Sequence, residues 1–320
     1  MSINLINPSN GKLLSKVKDG LKDEEGNFIP YSKGAYRFVS DSNYTTSFGF
    51  QWNAFQRTQI DGQANSTQSK ERFLKVTGWD KLNLEGENIL EVGSGAGRFT
   101  QVALQYTKAN LYSVDYSNAV EANYNNNGTS PRLHLFQASI YELPFEKGSF
   151  DRVFCFGVLQ HTPDFKKSVK CLIEMVKPGG ELVVDFYPIK GWWTKIHAKY
   201  LLRPITKRMK QETLLKVIDK NVDWMISLSK FFDKIGIGRF VNRFIPVCDI
   251  KNTLPSSLAG NELREWVVLD TFDMFSPQYD NPQRLQTVEK WFKEFGMKNI
   301  NASYIRYDLS NNVTVVKGFK

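Results

Sequence analysis

Asn88-Ile-Leu-Glu91-Val-Gly93-Ser-Gly95-Ala-Gly97-Arg-Phe-Thr100 joins an apolar run to a glycine-rich turn, with a helical pattern following from Arg98 to Tyr106. A short apolar run bounded by glycine and then by a helix is the start of a parallel β-α-β unit. Working outward, Leu111–Asp115 reads as the next strand, with a helix from Asn118, and Leu133–Gln137 and Asp151–Phe156 read as the third and fourth strands. Asn123–Gly128 reads as a polar loop. Thr162, Pro163 and Asp164 mark the start of a helix whose apolar residues Phe165, Val169, Leu172, Ile173 and Val176 recur at helical spacing. Pro178-Gly-Gly180 stops it, Leu182–Phe186 is the fifth strand, and Pro282–Phe295 is the last helix. Lys298–Tyr307 and Val313–Phe319, with a Ser-Asn-Asn turn between, form a terminal hairpin.

The expected architecture is α/β: a Rossmann-like, seven-stranded, mostly parallel sheet with an antiparallel C-terminal hairpin, an N-terminal helical cap and a helical insertion. The division expected is an N-terminal segment at 1–39, a helical cap at 40–84, a core at 85–187 and 262–320, and an inserted basic helical lid at 188–261. In the insertion, Leu214, Leu215, Ile218, Val222 and Met225 recur at three and four, a face better read as packed core than as a membrane contact.

With 320 residues, 23 Phe and 7 Trp, the chain can bury a large core. No run approaches the roughly 18 apolar residues of a membrane span. Met1–Asn10 lacks the basic start and apolar run of a secretion signal, and Cys155, Cys171 and Cys248 form no CxxC pair, so a cytoplasmic protein is expected. The net charge of +9 is concentrated: Lys190 to Arg243 holds thirteen Lys/Arg against four acids. Such a block is either a solvated helical face or a surface for an anionic partner: a nucleotide-linked sugar, a lipid phosphate, a membrane surface contacted peripherally through 190–243, or nucleic acid.

The glycines let the backbone turn tightly and a ligand lie on main-chain N–H groups. Asp115 ends the second strand 20 residues after Gly95, where an acid accepts hydrogen bonds from both hydroxyls of an adenosine ribose. A dinucleotide site would use G-x-G-x-x-G and leave room for a pyrophosphate; here the spacing is G-x-G-x-G. Glu91, two residues ahead, opposes a pyrophosphate and suits a cofactor with a cationic sulfonium and an amino group.

At these residues the chain resembles class I S-adenosylmethionine-dependent methyltransferases. EVGSGAGRFT looks like their motif I and VDYS, with Asp115, like motif II. ASIYELPF and SFDRVFCFGVLQHTPD look like the adenine-binding and fourth-strand regions, and VKPGGELVV like the turn into strand five. The resemblance covers about 85–187. It implies S-adenosyl-L-methionine as cofactor, with Glu91, Gly93, Ser94, Gly95 and Gly97 around its methionine and ribose and Asp115 on the ribose. Tyr116 would pack on the adenine, Ser139 (commonly Asp in the family) and Ile140 would lie beside its amino group, and Phe156, Gln160 and Arg57 complete the cofactor set.

Beyond the core, Phe48–Asp61 with Thr77-Gly-Trp79, and Trp266–Asp273 with Tyr279-Asp-Asn-Pro282, resemble bacterial methyltransferases of surface-polysaccharide gene clusters. Residues 3–39 look like the zinc-ribbon module that precedes some of these enzymes. Asn7-Pro-Ser-Asn10-Gly stands in place of a CPxCG knuckle, so a metal-free remnant is expected.

Methyl transfer is an in-line displacement, so the protein must hold the acceptor about 3 Å away, aligned and dry. An alcohol acceptor also needs a base. His161 and Asp185, beside strands four and five, and Asp273 are the candidates, although His161 equally orders its loop and Asp185 is equally buried structure. Trp52, Tyr187, Asp270 and Tyr279 are candidate substrate contacts. Cys155-Phe-Gly-Val158 in place of a D/N-P-P-Y/F motif argues against base N-methylation. The reading is O-methylation of a sugar or glycan-precursor hydroxyl. The alternatives are another small-molecule metabolite or, ranked last, nucleic acid held by the basic insertion; no metal is expected.

Overall fold

The computed structural model describes residues 3–40, 42–62, 67–189, 191–308 and 311–320. Lys190 and Ser310, part of the basic block and of the terminal turn, lie outside the described residues. Four short strands come first, β1 (Ser15–Val17), β2 (Gly20–Lys22), β3 (Phe28–Ser32) and β4 (Ala35–Arg37), then helices α1 (Thr46–Ala54) and α2 (Gln68–Thr77). The alternating unit follows: β5 (Asn88–Val92), α3 (Arg98–Tyr106), β6 (Asn110–Asp115), α4 (Val120–Asn127), β7 (Leu133–Gln137), β8 (Phe150–Phe156), α5 (Phe165–Met175) and β9 (Val176–Phe186). The insertion carries α6 (Ala198–Thr206), α7 (Gln211–Lys234) and the single turns α8 (Gly238–Val241) and α9 (Ile250–Thr253). The chain then runs through α10 (Gly260–Phe275), α11 (Leu285–Glu294), β10 (Lys298–Arg306) and β11 (Asn312–Phe319).

The sheet order is β1-β2-β3-β4-β7-β6-β5-β8-β9-β11-β10. The pairs from β4 through β9 that include β5, β6, β7 and β8 are parallel, and β11 lies antiparallel between β9 and β10. The expected seven strands are therefore eleven, because β4 pairs with β7 through Tyr36–Phe136 and Arg37–Gln137. The N-terminal segment is thus part of the sheet. At its knuckle position the amides of Asn7, Asn10 and Asn27 converge on one Asp23 oxygen at 2.8–2.9 Å. Burial opposes ionisation of Asp23, but these donors outweigh it and hold the carboxyl below its usual range.

All five β5 residues are buried, as a central parallel strand requires. One sheet face packs Tyr112, Phe136, Phe145 and Phe150 with α5 and α11; the other packs Ile89, Phe154 and Phe156 with Phe73, Trp79 and Phe99. The helical stripe of the insertion behaves as its spacing predicts: Leu214, Ile218, Val222 and Met225 pack against Trp266, Val267 and Phe272 of α10. The cap of α5 differs. Asp164, not Thr162, is its N-cap and accepts from the Lys167 N–H, while Thr162 bonds back to Leu159. Residues 123–127, read as loop, are helical in α4.

β6 leaves one side of β5 and β8 the other, so a crevice opens at the carboxyl ends of these strands.

Candidate functional site

The turn after β5 is held by the asparagines of α4. Asn126 and Asn127 donate to the carbonyls of Ala96 and Gly97 at 2.9 and 3.0 Å, and Asn123 donates to Thr100 Oγ1. Gly97 has φ +85°, and a Cβ there would lie 2.2 Å from Asn123 Oδ1, so no other residue fits. Gly95, at φ +52°, passes so close to Trp52 that a Cβ would lie 2.9 Å from the indole nitrogen. Its N–H donates to Asp115 Oδ2 at 2.8 Å, while Ser117 donates twice to Oδ1. Loop, carboxylate and indole are thereby fixed as one unit.

A cavity of about 1040 Å³ opens above this turn. Trp52, Gly93, Ser94, Gly95, Asp115, Tyr116, Ile140, Phe156, His161, Tyr187, Asp270 and Asp273 all line it. Two further features test whether a polar cofactor fits. Gln51 on α1 is fully buried in the cavity wall with both amide atoms unpartnered, and Ser94 Oγ is buried and unpartnered in the same wall. Buried polar atoms without partners are costly, so they mark where a ligand's polar groups belong. With Asp115 and the glycine turn, the residues fit an adenosyl cofactor carrying an amino-acid tail.

Seven expected site residues stand off the cavity, each for a physical reason. Glu91 points back into the fold, where its Oε2 accepts from Thr100 at 2.5 Å and Ser113 at 2.7 Å; burial pushes its pKa up to about 7. It braces β5, β6 and α3 and does not face a sulfonium. Gly97 lies beneath the turn. Ser139 Oγ accepts from the Tyr141 N–H, and Gln160 donates to the Gly157 carbonyl. Tyr279 offers its carbonyl to His161 and its ring to Tyr44. Arg57 is exposed.

Asp185 is corrected most fully. Arg72 of α2 grips both its oxygens at 2.7–2.9 Å, and the Gly157 N–H donates to Oδ1 at 2.6 Å. A fully buried carboxylate so occupied is a structural ion pair and has no free lone pair to act as a base.

Sequence reading missed the residues that replace these. Arg72 and Arg98 line the cavity, Arg98 bonded to Gln59 at 2.5 Å and to Ser69 at 3.1 Å. An arginine directly after a glycine turn was the available signal. Burial, and the neighbouring Arg72, lower the Arg98 pKa, so this cation is poorly compensated and suited to an anionic ligand group.

On the opposite wall, Asp270 and Asp273 sit three residues apart on α10. Burial, reinforced by Asp273, pushes the Asp270 carboxyl up to about 7, against the pull of Arg98 and Arg72. Gln59 donates to it at 3.1 Å, and Tyr187 OH lies 3.4 Å from Asp273. His161 Nδ1 lies 3.1 Å from the Tyr279 carbonyl, which only accepts; Nδ1 therefore carries the proton and Nε2 the lone pair. Burial lowers the His161 pKa, keeping the ring neutral. Lys199 and Asp280 close this end as a buried pair at 2.8 Å.

Residues 90–184 match the family described as "Methyltransferase domain". The chain is 27% identical over 161 residues to a tRNA U34 carboxymethyltransferase of Nautilia profundicola, covering 49% of this chain and 52% of that protein. It is 34% identical over 101 residues to Methyltransferase str2 of Strobilurus tenacellus, covering 31% and 35%. The chain spans about half or less of the length of these curated relatives. Among solved structures, phosphoethanolamine N-methyltransferase 2 of Haemonchus contortus, bound to phosphomonomethylethanolamine and S-adenosylhomocysteine, superposes with a TM-score of 0.46 at 15% identity, covering 89% of this chain and 62% of that one.

Proposed function

We propose that this chain, which carries a class I S-adenosylmethionine-dependent methyltransferase domain, transfers the cofactor's methyl group to a hydroxyl of a small polar acceptor, a sugar or glycan-precursor hydroxyl. One observation carries the reading. A carboxyl raised to about 7, Asp270, lines the same cavity as the glycine turn and Asp115. A base matched to neutral pH is what an alcohol acceptor requires.

The chain's residues divide the work. Asp115 would hold the ribose hydroxyls, Ile140 and Tyr116 would flank the adenine, and Ser94, Gln51 and the Gly93–Gly95 backbone would take the amino-acid tail. When bound, S-adenosylmethionine supplies a methyl carbon already activated by its sulfonium. Asp270 takes the hydroxyl proton of the acceptor. Asp273, Tyr187 and His161 Nε2 accept or donate to its other hydroxyls, and Arg98 meets an anionic substituent. Trp52, Phe156 and Tyr187 keep water from the reacting pair. The sugar assignment rests on this wall of hydrogen-bonding groups and acids.

The test is turnover of the full chain with S-adenosylmethionine and a panel of sugar derivatives, read by S-adenosylhomocysteine release and product mass. Asp270→Asn should lower kcat by about 10²–10⁴-fold with S-adenosylhomocysteine affinity unchanged by calorimetry. Full turnover in the variant removes Asp270 as the base. Methylation of amines alone, with every sugar hydroxyl refused, removes the acceptor class.

A further inference from the structure

Helix α6 is turned inside out. Lys199 faces inward to Asp280, Arg203 donates to the carbonyls of Met274 and Pro277 at 3.1 and 2.8 Å, and Thr206 donates to the Phe275 carbonyl at 3.0 Å. Its aliphatic residues face out: Leu201 is 68% exposed and Ile205 66%, with Leu202 also exposed. An amphipathic helix on a water-facing surface places these sides the other way round.

The turn that leads into α6 continues this surface. Trp192 is 79% exposed, and the Arg243 guanidinium donates to the carbonyls of Trp193 and Ile196, tying that turn to the segment carrying Phe240, itself 69% exposed, and Phe244. Around these groups the charge is basic: residues 191–243 hold twelve Lys/Arg against four acids, and ten of the twelve remain when the inward Lys199 and Arg203 are set aside. Among the described residues, Lys195, Lys230, Lys234 and Arg239 form no ion pair.

We propose that this face of the insertion, from Trp192 through α6 to Phe244, seats on an anionic lipid bilayer. Protruding aromatic and aliphatic side chains among unpaired lysines and arginines complement the headgroup–acyl boundary of such a membrane, which takes both. A second copy of the chain would bring a like-charged face and be repelled. The exposed leucines and isoleucine of α6 are contacts that acyl chains use and that nucleic acid does not need. No helix among the described residues is long and apolar enough to cross a membrane, so the contact is peripheral. Trp193, Arg239 and Arg243 also line the cavity, so the docked face borders its entrance.

The experiment is co-sedimentation of the full chain with vesicles of phosphatidylcholine alone and of phosphatidylcholine mixed with phosphatidylglycerol. Binding to the mixed vesicles, weakened by salt and lowered roughly tenfold or more by Leu201→Glu with Ile205→Glu, or by Trp192→Ala with Phe240→Ala, is expected. S-adenosylhomocysteine affinity of these variants, measured by calorimetry, should match the parent, which separates a failed surface from a failed cofactor assignment. No sedimentation with mixed vesicles overturns the proposal. So does a concentration-dependent dimer that the same substitutions dissolve, or salt-steep RNA binding that they leave unchanged while vesicle binding is absent.

Discussion

One wall of the cavity comes from a single β5–α3–β6 unit: the turn at residues 93–96 and Asp115, joined by the Gly95 N–H, with the Ser117 N–H donating to the same carboxylate. The opposite wall draws Gln59, Arg72, His161, Tyr187, Asp270 and Asp273 from segments spread over two hundred residues, and joins them mainly by side chains. The first wall meets its carboxylate largely through backbone N–H groups and so depends on shape. The second depends on charges taken out of water, whose protonation states exist only in the assembled fold. Injury to the second should therefore appear as lost stability or turnover, and injury to the first as lost cofactor affinity.

The sharpest attempt to break this contrast is Arg72→Ala, which strands Asp185 as an uncompensated buried charge. Unfolding in denaturant should show a loss of about 3–5 kcal/mol. A loss near zero would mean that the ion pair does not organise the acceptor wall. Asp115→Ala acts on the other wall. S-adenosylhomocysteine affinity should fall about ten- to hundredfold for each ribose hydrogen bond lost, by calorimetry; unchanged affinity would contradict the cofactor site.

The pH dependence sharpens the distinction further. Asp270 and Glu91 both have folded pKa values raised to about 7 from the ordinary carboxylate range. Between that range and about 7 the native state holds the extra protons, so these groups lower stability progressively as pH rises and their contribution levels off above 7. Turnover should rise over the same interval as Asp270 ionises. Asp270→Asn should abolish the turnover slope and reduce the stability slope to the share that Glu91 keeps, the latter read by a thermal-melt series from pH 4 to 8. The smallest effect belongs to Arg57→Ala. Exposed and off the cavity, it should alter stability by less than about 0.5 kcal/mol and leave S-adenosylhomocysteine affinity as it was.

The same contrast explains what could be read in advance. β5, α3 and β7 fall where periodicity and glycine placed them, and the 20-residue interval from Gly95 to Asp115 brings that carboxylate onto the turn. These are local patterns, and local patterns survive in one dimension. Glu91 reads as part of the glycine turn that begins two residues on, whereas its partners in space are Thr100 and Ser113. The run at 123–127 looked like loop because asparagine competes with the backbone in isolation; here its amides find the carbonyls of the glycine turn, and the helix stands. Nothing in residues 185 and 72 taken singly announces that one neutralises the other across 113 positions of chain. Asp270 looks like any acid on a helix until burial sets its proton affinity.

The added N-terminal strands carry a consequence of their own. Strand β7 would otherwise end the sheet, offering a row of unused amide and carbonyl groups to any passing extended chain. With β4 paired to it, and Arg37 donating to Gln137 at 2.9 Å, the border moves out to β1, only three residues long. A variant trimmed of these strands would uncover a longer and stickier rim next to Asp115, and self-association would then compete with folding.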